Sequence, residues 1–216
     1  MSYDEDQIPR RSKSHNRRDF LITAGAPLAV LPFLELASSS AGQAQPPQNV
    51  DDPENFSHRY ATVNDIRMHY VEEGQGPLVI LLHGYPFLWY LWRHQIKALA
   101  AAGYRVVAPD QRGYGQTDCP QGADAYDMTH LVGDVVGLMK ALDSKSAVLI
   151  GQDWGSPVVY NAALMRPDLF RGVVMMCSPP SARGQVPPAA TLQRVAHEKG
   201  LIFYQTYLAQ PKAPFP

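Results

Sequence analysis

The segment Gly151-Gln152-Asp153-Trp154-Gly155 constrains the fold of this chain most, because it sets a charged side chain between two glycines at the end of an apolar run. Ala147–Ile150 before it is predicted to be a buried strand, and residues 158–165 after it have a helical pattern. Strand, tight turn and helix in this order predict a nucleophile elbow, in which Gly151 and Gly155 let strand and helix pass closely. The central side chain is then held at the carboxyl end of the sheet, where open α/β sheets bind ligands.

The side chain at the centre of this turn, Asp153, is a carboxylate rather than the hydroxyl of many such elbows. A serine must be activated by a neighbouring base before it attacks. A carboxylate is already charged at neutral pH, so it can attack a saturated carbon directly and leave an ester on the enzyme. Asp153 is therefore predicted to be a covalent nucleophile.

The chain between residues 58 and 178 alternates between strand and helix patterns. Arg59–Val63 and Ile66–Val71 flank the turn pair Asn64-Asp65 and predict a hairpin. Later segments predict, in order, a strand, a helix, a strand, an amphipathic helix, the elbow strand and helix, and a last strand: Leu78–Leu82, Leu91–Ala102, Tyr104–Ala108, Met128–Leu142, the elbow, and Phe170–Cys177. A hairpin followed by this alternation predicts an α/β fold, a mostly parallel sheet with helices on both faces.

Composition excludes several classes of function. The chain has 216 residues, of which 45% are hydrophobic, and this suits one domain or a little more. Its net charge is -1 and its globular part has no basic stretch, which argues against a nucleic-acid partner. Cys119 and Cys177 are too few for a disulfide framework, and Cys177 is expected to be buried in the last strand. No P-loop, H-E-x-x-H or paired C-x-x-C motif occurs, so neither a metal nor another cofactor is predicted.

Residues 1–44 differ in character from the rest. An apolar run, Leu21–Ala37, follows a leader that carries several basic residues, namely Arg10, Arg11, Lys13, Arg17 and Arg18. Small residues then lead to a candidate cleavage site at Ala41 or Ala44, which is the order of a secretory signal. The alternative is a retained membrane anchor, but prolines and Glu35 interrupt a run that is short for a span.

The stretch Arg17-Arg18-Asp19-Phe20-Leu21 resembles the bacterial twin-arginine export signal. This resemblance implies that 1–44 is a cleaved signal peptide and that the twin-arginine export machinery is a partner. The mature protein would be periplasmic or secreted and would have no stable membrane span. Gln45-Pro46-Pro47 would be a linker.

A second motif, His83-Gly84-Tyr85-Pro86, directly follows the strand ending at Leu82. An oxyanion hole in such a fold takes one N–H from this loop and one from the residue after the nucleophile, here Tyr85 and Trp154. Gly84 permits a tight backbone, and the bond to Pro86 can be cis. His83 is predicted to be a structural histidine that ties loops together. In a third motif, Asp110–Gly115, a pair between Asp110 and Arg112 is expected to make the loop rigid.

From about Tyr60 to Pro180 the chain resembles the α/β-hydrolase superfamily and, within it, the epoxide hydrolases. The matching segments, in chain order, are Leu82–Pro86, Trp89–Ile96, Gly103–Asp110, Arg112–Gly115 and Gln152–Gly155. The resemblance implies that Asp153 attacks an epoxide carbon to give a hydroxyalkyl ester. A water activated by a histidine, itself held by an acidic residue, would then hydrolyse the ester to a diol. The expected partner is a small hydrophobic epoxide or a related electrophile.

The same resemblance implies a cap domain with tyrosines that donate a proton to the departing oxygen. Tyr204-Gln205-Thr206-Tyr207 is similar to the segment that carries the first of them, so Tyr204 is the candidate acid and Tyr207 the less favoured one. A phenol is protonated at neutral pH and can hydrogen-bond an epoxide oxygen. The alternative is that Phe203, Tyr204 and Tyr207 form an aromatic helix face that only packs.

The order of residues in α/β-hydrolases places the acid and then the base after the nucleophile. This chain reaches Pro216 before either is expected, and no histidine can be carried over as the base from His58, His69, His94, His130 or His197. The domains are therefore expected to be the N-terminal part of a hydrolase core at 45–178 and the start of a helical cap, truncated, at 179–216. Alone, the chain is expected to lack turnover and to leave an unpaired sheet edge.

Two other interpretations of these motifs remain open. A haloalkane dehalogenase would use the same Asp153, with the indole of Trp154 holding the leaving halide. A non-catalytic remnant would keep the fold without the chemistry, although the fold alone does not require Asp153.

Overall fold

A computed structural model describes residues 49–178, 188–201 and 204–205. The chain divides into two units, Met1–Pro46 and Pro47–Pro216, and every described residue belongs to the second. The predicted leader 1–44 and the linker Gln45-Pro46-Pro47 lie outside the described residues.

The described residues contain six strands: β1 His58–Val63, β2 Ile66–Glu73, β3 Leu78–Leu82, β4 Arg105–Pro109, β5 Ala147–Gln152 and β6 Phe170–Met176. They form one sheet in the spatial order β1-β2-β4-β3-β5-β6. β2 runs antiparallel to both β1 and β4, whereas β4, β3, β5 and β6 are parallel. The mostly parallel α/β-hydrolase sheet predicted from the sequence is confirmed, and the loops after β3, β4 and β5 meet at one edge.

Four helices of the described residues connect or follow these strands: α1 Arg93–Ala101, α2 Met128–Ala141, α3 Gly155–Met165 and α4 Pro188–Lys199. α1 begins at Arg93, two residues after the predicted start at Leu91, because Leu91 belongs to a 3-10 turn at Trp89–Trp92 that leads into the helix. α2 begins at an N-cap, Asp127, whose carboxylate accepts the His130 N–H at 2.8 Å. Such a cap satisfies one of the unpaired N–H groups at a helix start.

The opening hairpin turns through Asn64 and Asp65, with φ angles of 46° and 63°. A two-residue turn with positive φ at both central positions matches the twist of the flanking strands and favours Asn and Asp. β1 and β2 pair across it from Val63 opposite Ile66 to His58 opposite Val71. The predicted hairpin is confirmed.

Side chains of β3 alternate between two apolar clusters, one on each face of the sheet. Leu78, Ile80 and Leu82 pack in the cluster that includes residues of α2 and α3. Val79 and Leu81 pack in the opposite cluster, which includes Trp89–Trp92 and α1. Because both faces are covered by helices, β3 is fully buried, and each such side chain contributes about 1.5–3 kcal/mol relative to exposure.

The end of β6 differs from the sequence prediction. β6 ends at Met176, and Cys177 is exposed with a φ of 72°, so the prediction that Cys177 is a buried strand residue was wrong. None of the helices within residues 49–178, 188–201 and 204–205 combines the length and apolar character that a bilayer crossing needs.

Candidate active site

Asp153 stands at a sharp turn between β5 and α3. Its φ is 51°, a region that costs a non-glycine residue roughly 1–3 kcal/mol and is often found at functional sites. A Cβ on Gly151 would lie 2.4 Å from the Gly155 carbonyl oxygen, and one on Gly155 would lie 2.2 Å from the Leu82 carbonyl oxygen. The structure thus has the strand–turn–helix geometry that the sequence predicts, and both glycines are needed for backbone to approach backbone.

The far side of this turn is anchored to the end of β6. The Asp153 N–H donates to the Met176 carbonyl at 3.1 Å. The buried hydroxyl of Ser156 lies 2.9 Å from the carbonyl oxygens of Gly151 and Met176 and 3.3 Å from the Met176 nitrogen, whose N–H it accepts. Sequence analysis missed Ser156. The available signal was a hydroxyl at the start of an apolar helix, since a buried hydroxyl needs a partner.

The loop after β3 faces Asp153 directly. The Tyr85 N–H donates to Asp153 Oδ1 at 3.1 Å. A Cβ on Gly84 would lie 2.4 Å from Asp153 Cβ and 2.6 Å from Oδ1, so only glycine allows this approach. The Tyr85–Pro86 peptide bond is cis. One of the two predicted oxyanion donors therefore already contacts the predicted nucleophile.

His83 lies beneath this loop and is fully buried. Its Nδ1 is 3.0 Å from the Gly84 carbonyl oxygen, and its Nε2 is 3.0 Å from the Gln111 nitrogen. Burial lowers the pKa of His83, against smaller opposing effects of the Gly84 bond and of Asp110. With both ring nitrogens engaged, His83 holds two loops together and has no nitrogen free for a substrate.

Tyr204 and Trp154 lie on the exposed side of the site. The Tyr204 ring stacks on the Tyr85 ring, with centroids 5.6 Å apart and planes 10° apart, and its hydroxyl accepts from the Gln205 amide at 3.2 Å. Tyr204 is 41% exposed and Trp154 is 48% exposed. The structure therefore brings the candidate acid to the loop that contacts Asp153, while Tyr207 lies outside the described residues.

The predicted pair between Asp110 and Arg112 does not form, so that prediction was wrong. Arg112 instead makes a two-point ion pair with Asp134 of α2, at 2.8 and 2.7 Å. Asp110 accepts from buried His69 at 2.8 Å and from the Trp89 N–H at 3.0 Å. Burial alone would raise the pKa of Asp110, but these bonds and the Gln116 N–H outweigh it and hold the pKa below its usual value.

Tyr114 is a further residue of the site that sequence analysis did not single out. Its ring meets the His83 ring edge-on, with centroids 4.9 Å apart. Burial raises the pKa of Tyr114, and the nearby Tyr85, Asp153 and Tyr204 raise it further, so its hydroxyl stays protonated. Together with Trp154 it lines a cavity of about 250 Å³. The sequence signal that could have identified Tyr114 is its position between Gly113 and Gly115, in a loop that follows a strand.

The arrangement supports nucleophilic chemistry by a carboxylate. One oxygen of Asp153 is held by a backbone N–H, and the positive end of α3 begins just beyond it, which favours negative charge at this point. In the part of the chain that the structure describes, no group of three or more His, Cys, Asp or Glu side chains could hold a metal ion.

Comparison with known proteins identifies the family to which this fold belongs. The family model described as the alpha/beta hydrolase fold matches residues 77–197. Epoxide hydrolase A of Mycobacterium tuberculosis is 43% identical over 157 residues, which are 72% of this chain and 48% of that protein. Epoxide hydrolase 3 of Siraitia grosvenorii is 44% identical over 121 residues, or 56% of this chain and 38% of that protein.

Solved structures give the same result. An epoxide hydrolase from Vigna radiata is similar with a TM-score of 0.69 and 40% identity, over 74% of this chain and 49% of that one. Epoxide hydrolase A from Mycobacterium thermoresistibile is similar with a TM-score of 0.68 and 43% identity, over 72% of this chain and 49% of that one. The chain spans about half the length of these proteins. It belongs to the α/β-hydrolase fold family and is similar, within that family, to epoxide hydrolases.

Proposed function

We propose that the whole protein hydrolyses epoxides and that Asp153 is its nucleophile. The observation that carries the proposal is the 3.1 Å bond from the Tyr85 N–H to Asp153 Oδ1. A donor on Oδ1 fixes the rotation of the carboxylate and leaves Oδ2 as the attacking atom. The same donor serves Oδ1 again when that atom becomes the carbonyl oxygen of an ester.

In the first step Asp153 Oδ2 bonds to one epoxide carbon, and the bond between that carbon and the ring oxygen breaks. The released electron pair goes to the oxygen, which takes a proton from a phenol, for which Tyr204 is the candidate. Its stacking on Tyr85 supports this role, because Tyr85 carries the amide that holds the nucleophile. The product is a hydroxyalkyl ester of Asp153.

In the second step water adds to the ester carbonyl carbon, and Oδ1 becomes an oxyanion. The amides of Tyr85 and Trp154 stabilise it. Its collapse breaks the bond between the carbonyl carbon and Oδ2, which takes one proton of the water and leaves as the second hydroxyl of the diol. The water oxygen completes the restored carboxylate, and the other proton of the water returns to the phenolate. A base must take the proton of the water. The ring nitrogens of His83 and of His69 are bonded within the fold, so neither supplies it. We propose that the 216-residue chain by itself is alkylated once without releasing its ester.

Mass spectrometry of the full chain after incubation with styrene oxide tests the nucleophile. We expect one adduct, located by peptide mapping at Asp153, and none on the Asp153→Asn variant. The whole protein in ¹⁸O water should carry the label into Asp153 and then into the diol in the next turnover. An unmodified Asp153, or equal labelling of the Asn variant, contradicts the proposal.

The same assay separates the alternatives. A haloalkane dehalogenase would form its ester with 1-bromohexane and release bromide faster than it reacts with 1,2-epoxyhexane, a matched electrophile of the same chain length. A non-catalytic remnant would react with neither. The similarity of this chain to epoxide hydrolases supports a third outcome, in which the reaction with 1,2-epoxyhexane is faster than the release of bromide.

We also propose a small hydrophobic epoxide as substrate and a start of the cap domain at 179–216. Exposed apolar side chains surround the loop that holds Asp153, namely Tyr85, Phe87, Leu88, Trp154 and Tyr204. Such a surface favours an apolar substrate and a covering cap. 1,2-Epoxybutane should therefore react faster than glycidol, a polar epoxide of similar size.

Export through the twin-arginine pathway is a separate proposal that the leader sequence supports. Paired Arg17 and Arg18, followed by an apolar run to Ala37, are the features that carry it. We expect the mature protein in the periplasm or medium of a bacterial host. Replacing both arginines by lysine should keep the full-length precursor in the cytoplasm, and unchanged export of that variant would refute the pathway.

A further inference from the structure

Gln111 joins the loop after β4 to the loop after β3 at two points. Its backbone N–H donates to His83 Nε2 at 3.0 Å, and its side-chain amide donates to the His83 carbonyl oxygen. β3 and β4 are neighbours in the sheet, so their ends are side by side where these loops begin. One residue therefore holds both the ring and the backbone of His83.

The first of these bonds fixes the proton of the imidazole. A backbone N–H can only donate, so His83 Nε2 must accept. A neutral ring then carries its hydrogen on Nδ1, and that N–H donates to the Gly84 carbonyl at 3.0 Å. Protonating Nε2 would set a donor against a donor, and burial already lowers the pKa of His83. The neutral Nδ1–H form is the one that fits.

The bond to Gly84 transmits this restraint to the site. The Gly84 carbonyl also accepts the Phe87 N–H at 2.8 Å, so its orientation is fixed from two sides. The peptide group that contains this carbonyl also contains the Tyr85 nitrogen. When the carbonyl is fixed, so is the direction of the Tyr85 N–H, which donates to Asp153 Oδ1 at 3.1 Å.

We propose that Gln111 is a positioning residue of this site: by holding His83 it sets the Gly84–Tyr85 peptide plane and so aims the Tyr85 N–H at Asp153. Its effect on reaction rests on the proposed function, whereas its effect on the peptide plane does not. Gln111 touches no reacting atom in this scheme and acts through His83 and Gly84.

The test compares Gln111→Met with Gln95→Met in the full chain. The methionine keeps the length of the side chain and the backbone N–H but removes the amide donor, and Gln95 is an exposed residue of α1 that serves as the matched control. Three quantities are measured: the ¹⁵N signals of the His83 ring, hydrogen exchange of the Tyr85 amide, and the rate of single alkylation of Asp153 by styrene oxide.

In the unsubstituted chain we expect His83 to be protonated on Nδ1 and not on Nε2. Gln111→Met should shift the His83 signals, speed exchange of the Tyr85 amide and slow alkylation by roughly two- to tenfold, the range for one lost hydrogen bond. Gln95→Met should leave all three unchanged. Thermal unfolding sets a temperature at which every variant is fully folded, so lost stability alone does not produce these changes.

A proton on His83 Nε2 in the unsubstituted chain overturns the proposal. So does a Gln111→Met chain whose Tyr85 exchange and His83 signals match those of Gln95→Met, even if it melts earlier. If the unsubstituted chain takes up no epoxide at all, the proposed function fails, and the two spectroscopic readouts still decide the role of Gln111.

Discussion

Gly84 is the residue whose substitution tests the geometry of the site most directly. A Cβ there would lie 2.4 Å from Asp153 Cβ, so Gly84→Ala must separate the Tyr85 amide from the nucleophile. Because a displacement of about 1 Å can cost on the order of a hundredfold in rate, we expect alkylation of Asp153 to slow by about that factor. Mass spectrometry of single alkylation measures it.

The matched control for this prediction is Gly172→Ala in β6. A Cβ at Gly172 meets no described atom within 4 Å, and its backbone is not in the left-handed region. Alkylation of this variant should proceed as in the unsubstituted chain. Equal rates for the Gly84 and Gly172 variants would show that close approach of the loop to Asp153 does not matter.

His83 makes stability depend on pH in a defined direction. Its folded pKa lies below the ordinary value of about 6.5, so as pH falls the unfolded chain binds a proton first. The contribution is complete above about pH 6.5 and is lost below it until the folded ring also protonates. As pH falls below about 6.5 we expect the free energy of unfolding to fall by up to about 1.4 kcal/mol per pH unit from this residue.

Urea unfolding at several pH values measures this loss. His83→Asn should be less stable at pH 7.5 but should have a shallower dependence on pH than the unsubstituted chain. His94→Asn, on the exposed side of α1, should keep the steep dependence. Parallel curves for the His83 variant and the unsubstituted chain would contradict the prediction.

Local motifs are what made the candidate residues recognisable from the sequence. Asp153, its flanking glycines and Tyr85 each lie within a few residues of a strand end, so periodicity and turn chemistry place them together. The partners of Asp110 and Arg112 could not be found in this way. Asp110 bonds to His69 and Arg112 bonds to Asp134, and both partners are distant in sequence. A buried charge is stabilised by the group that completes its hydrogen bonds, which need not be the nearest charge along the chain.

At the scale of elements, the Arg112–Asp134 pair fastens α2 to the loop after β4. Both side chains are 4% exposed, and Asn64 of the hairpin turn adds a bond to Asp134 at 2.8 Å. Asp134→Asn leaves a buried guanidinium uncompensated, which typically costs about 3–5 kcal/mol. We expect a loss of this size in the free energy of unfolding, measured by urea denaturation.

An exposed pair of the same geometry provides the control. Arg166 and Asp168 also bond at two points, 2.9 and 2.6 Å, but lie at the surface. Solvent and salt screen such a pair, so Asp168→Asn should change stability little. Similar losses for the two variants would show that burial does not govern the strength of the Arg112–Asp134 pair.

Element types were predictable because apolar spacing differs between strands and helices, and the mostly parallel character of the sheet followed from their alternation. The residues at which elements begin and end were less predictable. The start of α1 was placed two residues too early, at Leu91, because the apolar residues of the 3-10 turn at Trp89–Trp92 continue the helical pattern. The end of β6 was placed too late because Cys177 continues the apolar run but adopts a positive φ.

At the scale of the whole molecule, the two edges of the described sheet differ in character. The β1 edge carries exposed polar groups, including Arg59, which pairs with Glu72 at 2.8 Å. β6, at the other end, carries Val174 and Met176 at 47% and 44% exposure. Charged side chains protect a sheet edge against pairing with another chain, and apolar ones do not. The β6 edge is therefore the surface through which this 216-residue chain should self-associate.

Val174→Lys tests this because a lysine on an edge strand opposes strand pairing between chains. We expect the unsubstituted chain to show a rise in mean mass with concentration by static light scattering, and the variant to remain smaller at the same concentration. Leu164→Lys on α3 is the control, since Leu164 is 62% exposed but presents no row of strand N–H and C=O groups. Association that responds equally to both substitutions would point to general apolar contact, and association unaffected by Val174→Lys would exclude the β6 edge.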